Sequence, residues 1–499
     1  MKNSRLGISL VANIISTLVS LGVSFVLTPY LIRTIGKEAY SFFPLANNFV
    51  SYMTIFSLAL NSMVSRFITI AIAENKLGKA HTYFSTVFFS NIILSIFLLI
   101  PIFIIIALID QFLDIPSGQL VDVRILFILI FASMLINLIF SVFGVSTFVK
   151  ERMDLYALQS IGQNLLRAIL YLGLFLVFPP SIIIMGVVTS LYTGSVQYIF
   201  TRKFLPEFRI RRSEFDRTAV RELMSSGFWN AINSLGSSLL QSMTLLLSNI
   251  LIGATASGSL SIVQTLPNLM TTIISAIYGV LLPRIANVYA RGEKYQTANT
   301  VIFTQKILGI ISSVPVILII LFGKAFFELW VPGENASELQ LLSILSVLPL
   351  LVHSSMWTVY GLNVMNNAVK KPAIIFLLTG IINVLLTGIV LKTTNMGIVT
   401  IPLVSAILNI GYYLFFMPAY AAKKMELPIW TFYPHIIKTF IFAGVSLIVG
   451  FVVLRDISIL NWGTFFIYGA IAEVVGIFLY IIIVFTKEDR KTIFKVLKT

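Results

Sequence analysis

The chain has 499 residues, of which 58% are hydrophobic and only 11% charged. A water-soluble domain carries about 25% charged residues, so a chain this apolar takes lipid as its solvent. No cysteine is present and the three histidines, His81, His353 and His435, are scattered. That excludes a disulfide framework, a thiol nucleophile and a Cys- or His-clustered metal site, and no cofactor is expected.

The apolar runs extend over twenty residues or more. They are not ten-residue alternating stretches, which argues for an all-α integral membrane fold and against a β-barrel. The first run continues to about residue 32 without a cleavage site and reads as a retained span. Spans are expected near 8–33, 39–73, 80–109, 121–149, 155–178, 181–200, 218–252, 257–289, 297–322, 338–368, 372–392, 396–421, 434–454 and 461–486, about fourteen in all. Short breakers join them, such as Ile35-Gly36-Lys37, Pro179-Pro180-Ser181 and Gly253-Ala254-Thr255.

Fourteen spans put both termini on one side. That side then collects 24 Lys and Arg, and the opposite side collects 6. The excess predicts cytoplasmic termini and accounts for most of the +15 net charge, so no nucleic-acid partner is expected. The segment 201–222 (TRKFLPEFRIRRSEFDRTAVRE) is the longest cytoplasmic connection. Its mixture of basic and apolar residues suits anionic headgroups.

The chain carries an internal repeat. A shift of 217 pairs Asn13 with Asn230 and Gly36 with Gly253, and a shift of 218 pairs Arg66 with Arg284 and Lys76 with Lys294. Over 30–90 against 248–308, ten of 61 positions are identical. The expected architecture is two parallel six-helix bundles and two further C-terminal helices. In residues, these are a lobe at 1–200, the linker at 201–222, a lobe at 223–425 and two extra helices with a basic tail at 426–499.

Polar residues recur at helical spacing inside several spans. The first has Ser9, Asn13, Ser16, Thr17, Ser20, Ser24 and Thr28, and its repeat partner has Asn230, Asn233, Ser237, Gln241 and Thr244. The second has Asn47, Asn48, Ser51, Thr54 and Asn61, its partner Gln264, Asn268 and Thr271, and the fifth Gln159, Gln163, Arg167 and Tyr171. Such stripes serve as helix–helix glue or line a hydrated cavity. Charge discriminates further. The basic residues within spans are Arg66, Arg167, Arg284, Lys306 and Lys438, and the one acid there is Glu473. A charge at mid-bilayer costs about 3 kcal/mol or more on insertion scales, so it marks water, a substrate or a snorkelling position. Arginines without acids suit an anion, because guanidinium binds phosphate bidentately. The candidate substrate-binding residues are Arg66, Arg167, Arg284, Lys306, Asn13, Asn48, Asn61, Gln163, Asn230, Asn233, Gln241 and Gln264. His353 reads as a packing histidine, with a proton relay as its alternative.

The stretch LTPYLIRTIGKEAYSFFPLANNFVSY (27–52) and the linker LPEFRIRRSEFDRTAVRELMSSGFWN (205–230) resemble the first-loop signature and the seventh-helix entry of the Wzx-type polysaccharide transporters. That family belongs to the superfamily of multidrug and toxin extruders and lipid II flippases. The resemblance implies a MATE-like fold with alternating access and a cationic cavity lined by helices 1, 2, 7 and 8. It implies an undecaprenyl-diphosphate-linked oligosaccharide as cargo, flipped across a bacterial cytoplasmic membrane for O-antigen, capsule or exopolysaccharide assembly. The implied partners are membrane lipids, the polysaccharide polymerase and the chain-length machinery. The alternatives are a cation-coupled multidrug pump, which would want an embedded carboxylate, and a lipid II flippase, which would want a basic cluster in the first helix. An enzyme is not expected, because the longest outer loop, about 323–337, is short.

Overall fold

The computed structural model describes residues 2–150, 152–191, 195–206, 208–453, 457 and 459–491. Among these every regular element is helical. Twelve helical segments are long and apolar enough to cross a membrane, and they coincide with twelve of the fourteen expected spans. The expected seventh span is helical from Arg217 to Leu251 with one widened turn. Its row of Ser, Asn and Gln keeps it below that hydropathy level. The expected sixth span contains Ile182–Ser190 and Ser195–Phe204, and residues 192–194 between them lie outside the described residues.

The chain packs into two compact units, Met1–Gly258 with Phe376–Val384, and Ser259–Ile375 with Leu385–Thr499. The first contains α1 (Lys2–Ile35), α2 (Lys37–Asn61), α3 (Val64–Ala73), α4 (Leu77–Ala107), α5 (Ile109–Phe112), α6 (Leu120–Phe140), α7 (Val145–Val149), α8 (Met153–Val177), α9 (Ile182–Ser190), α10 (Ser195–Phe204), α11 (Arg217–Ser237) and α12 (Met243–Leu251). Helix α13 (Ala254–Val263) begins in it.

Two long pairings organise this unit: α1 lies along α8, and α2 lies along α11. The second pairing is close because Gly227 has no side chain. A Cβ there would stand 2.1 Å from the Ala59 carbonyl oxygen. Where the helix widens at Ser238–Ser242, carbonyls lose regular partners. Asn383 donates to the Leu239 carbonyl at 3.1 Å and Asn48 to the Ser242 carbonyl at 2.9 Å. The repeat-matched glycines Gly36 and Gly253 both take left-handed φ, 87° and 135°. Each sits between two helices at a turn that a side chain would strain. Asp114 braces the second of these turns, accepting from the Ala254 N–H at 2.8 Å, while its own N–H donates to Asn249 Oδ1 at 2.8 Å.

The basic linker is fastened to α4. Leu205 and Phe208 are buried, Phe208 stacks on His81 at 4.5 Å, and the Arg211 and Asp216 N–H groups donate to Ser85 and Thr86. Two of its acids are held by hydrogen bonds. Tyr83 donates to Glu222, and Asp216 accepts from the Thr218 N–H. Arg209, Arg211, Arg212 and Arg217 remain exposed.

The second unit is built around α15 (Lys294–Trp330), which follows α14 (Thr265–Ala290) and precedes α16 (Ala336–Val347) and α17 (Leu350–Met365). Then come α18 (Lys370–Thr393), whose stretch Phe376–Val384 belongs to the first unit, α19 (Thr400–Gly411), α20 (Met417–Lys424), α21 (Pro434–Val453) and α22 (Trp462–Ile483). Helix α15 packs against α14, α16, α17, α21 and α22, which explains its many buried residues. Gly309 lets the Tyr480 side chain of α22 pack close against α15, since a Cβ there would stand 2.3 Å from the Tyr480 hydroxyl.

Below α22 the chain turns back. Thr486 caps the final segment through Asp489, and Arg490 donates to the Ile481 and Ile482 carbonyls at the end of α22. Asp489 also accepts from Lys306 at 2.6 Å, both side chains largely buried. Burial works against the charged carboxyl, but the bonds from Lys306 and Thr486 outweigh it and hold Asp489 below the usual carboxylate range. The pair therefore adds stability above the ordinary carboxylate pKa and loses it as pH falls through the lowered one. Asp489→Asn is expected to cost about 3 kcal/mol, because it strands a buried ammonium. The combined Lys306→Met, Asp489→Leu change should recover most of that loss. Thermal unfolding of the purified protein checks both.

Candidate functional site

Arg167 lies near the middle of α8 and is half-buried. Its Nη2 donates to Asn164 Oδ1 at 2.8 Å, one helical turn away. The Asn164 amide nitrogen in turn donates to the Ser160 carbonyl at 2.9 Å, so the acceptor is itself oriented. Because α1 runs along α8, Thr28 of α1 and Tyr40 of α2 come to the same region. Both are buried, their hydroxyls share a hydrogen bond, and Tyr40 is within electrostatic reach of the guanidinium. Among the described residues no carboxylate pairs with Arg167. A full positive charge is held in a lipid-spanning helix by an amide oxygen, next to neutral hydroxyls. Guanidinium offers five N–H donors in a planar fork, so donors remain for a bidentate anion.

The other sequence-predicted residues are placed differently. Arg66 on α3 and Arg284 on α14 are exposed, and the Arg284 guanidinium stands 5.9 Å from the centre of the Phe303 ring. Lys306 is buried against Asp489, so its ammonium is matched within the second unit and is not presented to a ligand. Asn61 is tied into a knot of side chains. It donates to Asn91 Oδ1 at 3.0 Å, Asn91 donates back at 3.1 Å and to the Leu138 carbonyl at 3.0 Å, and Ser141 donates to Asn61 Oδ1 at 3.2 Å. That arrangement joins α2, α4 and the end of α6 and is packing glue. Asn48 serves the widened turn. Asn13 on α1, Gln163 on α8, Asn230 and Asn233 on α11 and Gln264 after α13 are half-buried, and Gln241 is exposed. The structure brings Gln163 and Arg167 onto one helix a turn apart, while Gln264, Arg284 and Lys306 belong to the second unit.

Sequence reading missed Asn164, Tyr40, Asn91 and Asp489. Asn164 was legible in principle, being three residues before the arginine on the same helix. Asp489 was not, because it lies outside the spans whose charges were compared.

His353 is a packing residue. Its Nε2 accepts from the Trp357 indole at 2.8 Å and its ring stacks on Tyr413 at 4.2 Å. Glu473 is exposed on α22 beside a cavity of about 400 Å³ that is otherwise apolar, lined by Leu266, Ile273, Pro315, Phe322 and Phe466. Among the described residues no cluster of His, Asp and Glu could hold a metal ion.

Known proteins place this geometry in context. A family model described as "Polysaccharide biosynthesis protein" matches residues 8–289. The "uncharacterized membrane protein EpsK" of Bacillus subtilis (strain 168) is 25% identical over 487 residues, 97% of this chain and 96% of that protein. A "putative O-antigen transporter" of Escherichia coli (strain K12) is 26% identical over 391 residues, 76% of this chain and 89% of that one. A solved structure of the lipid II flippase MurJ in an inward closed conformation matches with a TM-score of 0.63 at 14% identity, covering 98% of this chain and 99% of that chain. At that identity the likeness is one of fold, and MATE-family multidrug transporters of the MOP superfamily share it. The chain thus shares the all-α, multi-span fold of those transporters.

The His353 contacts set a test. His353→Phe leaves the Trp357 N–H without its acceptor and should cost about 1–2 kcal/mol in thermal unfolding. His353→Gln retains an acceptor and should leave the pH profile of activity unchanged. A shifted profile in the Gln variant would reinstate the proton-relay role.

Proposed function

Because the chain belongs to the polysaccharide biosynthesis protein family, we propose that it is a Wzx-type flippase. It moves an undecaprenyl-diphosphate-linked oligosaccharide from the inner to the outer leaflet of a bacterial cytoplasmic membrane by alternating access. The observation that carries this reading is Arg167, a cation near the middle of a span with no carboxylate partner among the described residues. A charge retained in lipid at such cost is kept for a ligand of opposite sign. The name of the Escherichia coli relative points to surface glycan as the cargo class.

In this mechanism Arg66 and Arg284 draw the diphosphate from the cytoplasmic interface, and Arg167 holds it midway. Half-buried amides such as Gln163, Asn230 and Asn233 hydrogen-bond the glycan, while the polyprenyl tail remains in lipid. The proposed topology has fourteen crossings with both termini cytoplasmic. In chain order these are two six-helix repeats, at 1–200 and 223–425, joined by the linker at 201–222 and followed by two more helices at 426–499.

Deleting the gene should abolish surface polysaccharide and accumulate the lipid-linked intermediate on the cytoplasmic side. Arg167→Ala, expressed at the wild-type level, should restore at most about a tenth of the glycan, a loss of about 1.4 kcal/mol or more in productive binding. Unchanged glycan with raised drug sensitivity would sink the reading in favour of a multidrug pump.

A further inference from the structure

Several cations of this molecule are matched by an acid. Arg152 makes a forked pair with Asp154 at 2.9 Å, Arg124 meets Asp110 at 2.9 Å, and Lys306 meets Asp489 at 2.6 Å. In each the partner is a carboxylate. At Arg167 the corresponding place is taken by the Asn164 amide oxygen at 2.8 Å. The geometry of the contact resembles an ion pair, but the acceptor carries no net charge.

That difference has a chemical consequence. A carboxylate at this position would orient the guanidinium and also cancel its charge, through a bond about twice as strong as a neutral one. An incoming phosphoryl oxygen would then have to displace it. An amide orients without cancelling. Its nitrogen is already engaged by the Ser160 carbonyl at 2.9 Å, which fixes the oxygen toward Arg167 and keeps a competing N–H away. The hydroxyls of Tyr40 and Thr28 are bonded to one another and likewise add no charge.

We infer that Asn164 is a positioning residue that holds Arg167 oriented but uncompensated, and that its neutrality selects a diphosphate-bearing lipid over an uncharged one. This rests on Arg167 as the phosphate ligand of the proposed function. Asn164 itself touches the guanidinium and not the cargo.

The test uses the full-length protein in nanodiscs, titrated separately with undecaprenyl diphosphate, undecaprenyl monophosphate and undecaprenol. Thermal unfolding is recorded on the same samples without ligand. Asn164→Asp is nearly isosteric. It should lower diphosphate affinity tenfold or more and monophosphate affinity by less, leave undecaprenol unchanged, and keep or raise the unfolding temperature through the new ion pair. A residue that merely pins the helix would show the stability change without the loss sorted by headgroup charge. Asn164→Ser retains a neutral acceptor and should stay within about threefold of wild type. Should the Asp variant fail to fold, Gln163→Glu places a carboxylate one turn before Arg167 and should weaken diphosphate binding in the same order of headgroups. Wild-type diphosphate affinity in the folded acidic variants, with Arg167→Ala defective, overturns the inference and leaves the Arg167 reading standing. Wild-type affinity in Arg167→Ala defeats the Arg167 reading itself, and the role of Asn164 falls with it.

Discussion

Lipid cannot solvate an ion. Every ionised side chain in a spanning helix must therefore meet an opposite charge, reach the interface along its own stem, or be retained for a ligand. The arrangement of this molecule follows that constraint closely. Lys306 is deep enough on α15 to need a counter-ion, and the chain returns after α22 to bring Asp489 to it. The return is secured by Arg490, which answers two carbonyls left open at the end of α22. Arg124 meets Asp110 near the ends of their helices, where both are substantially exposed. Arg284 rests over an aromatic ring with its head exposed. Among the described residues Arg167 meets no opposite charge, and it lies near the middle of α8, so the third route is the one proposed for it.

Uncharged polar groups obey a milder form of the same rule, and they divide into two kinds. Hydroxyls mostly bond back to their own helix: Ser51 to the Asn47 carbonyl, Ser57 to Thr54, Thr69 to Ser65 and Thr271 to Pro267. Such groups are satisfied locally and say little about a cavity. Some amides do the same, Asn47 to the Phe43 carbonyl and Asn164 to Ser160, but others reach between helices. Asn48, Asn91, Asn249 and Asn383 each answer a carbonyl of another segment. Three of these four act on α12, its widened turn or its partner loop. Non-regular backbone inside lipid is tolerated where side chains replace the lost backbone partners.

This division explains how far the sequence could be read. Hydropathy is a local property, so the helical segments were legible wherever the helix is apolar throughout. It weakened over 217–251, where Asn230, Asn233 and Gln241 interrupt the apolar surface. Gly36 and Gly253, paired in the sequence by a shift of 217, both take a left-handed φ that favours glycine. Partnerships were not legible, since they join distant positions. Asn61 and Gln163 look alike in the chain, yet one is locked to Asn91 and Ser141 and the other is half-buried a turn before Arg167. Lys306 and Arg167 also look alike, and only the fold shows that the first has an acid 183 residues further on.

A carrier must also let go of its cargo. Two carboxylate-compensated arginines would bind a diphosphate too weakly, and several uncompensated ones would hold it through the whole cycle. On the proposed reading, one oriented cation at mid-span, with Arg66 exposed elsewhere in the same unit, would grade the attraction. Bulk affinity for the glycan can then come from many amides whose contacts are individually small. On that reading a change in the sugar would alter a few weak contacts, whereas loss of the phosphate would remove the one interaction that repays keeping a bare charge in lipid. On the proposed reading, the diphosphate, and not the sugar, is the feature of the cargo that Arg167 answers.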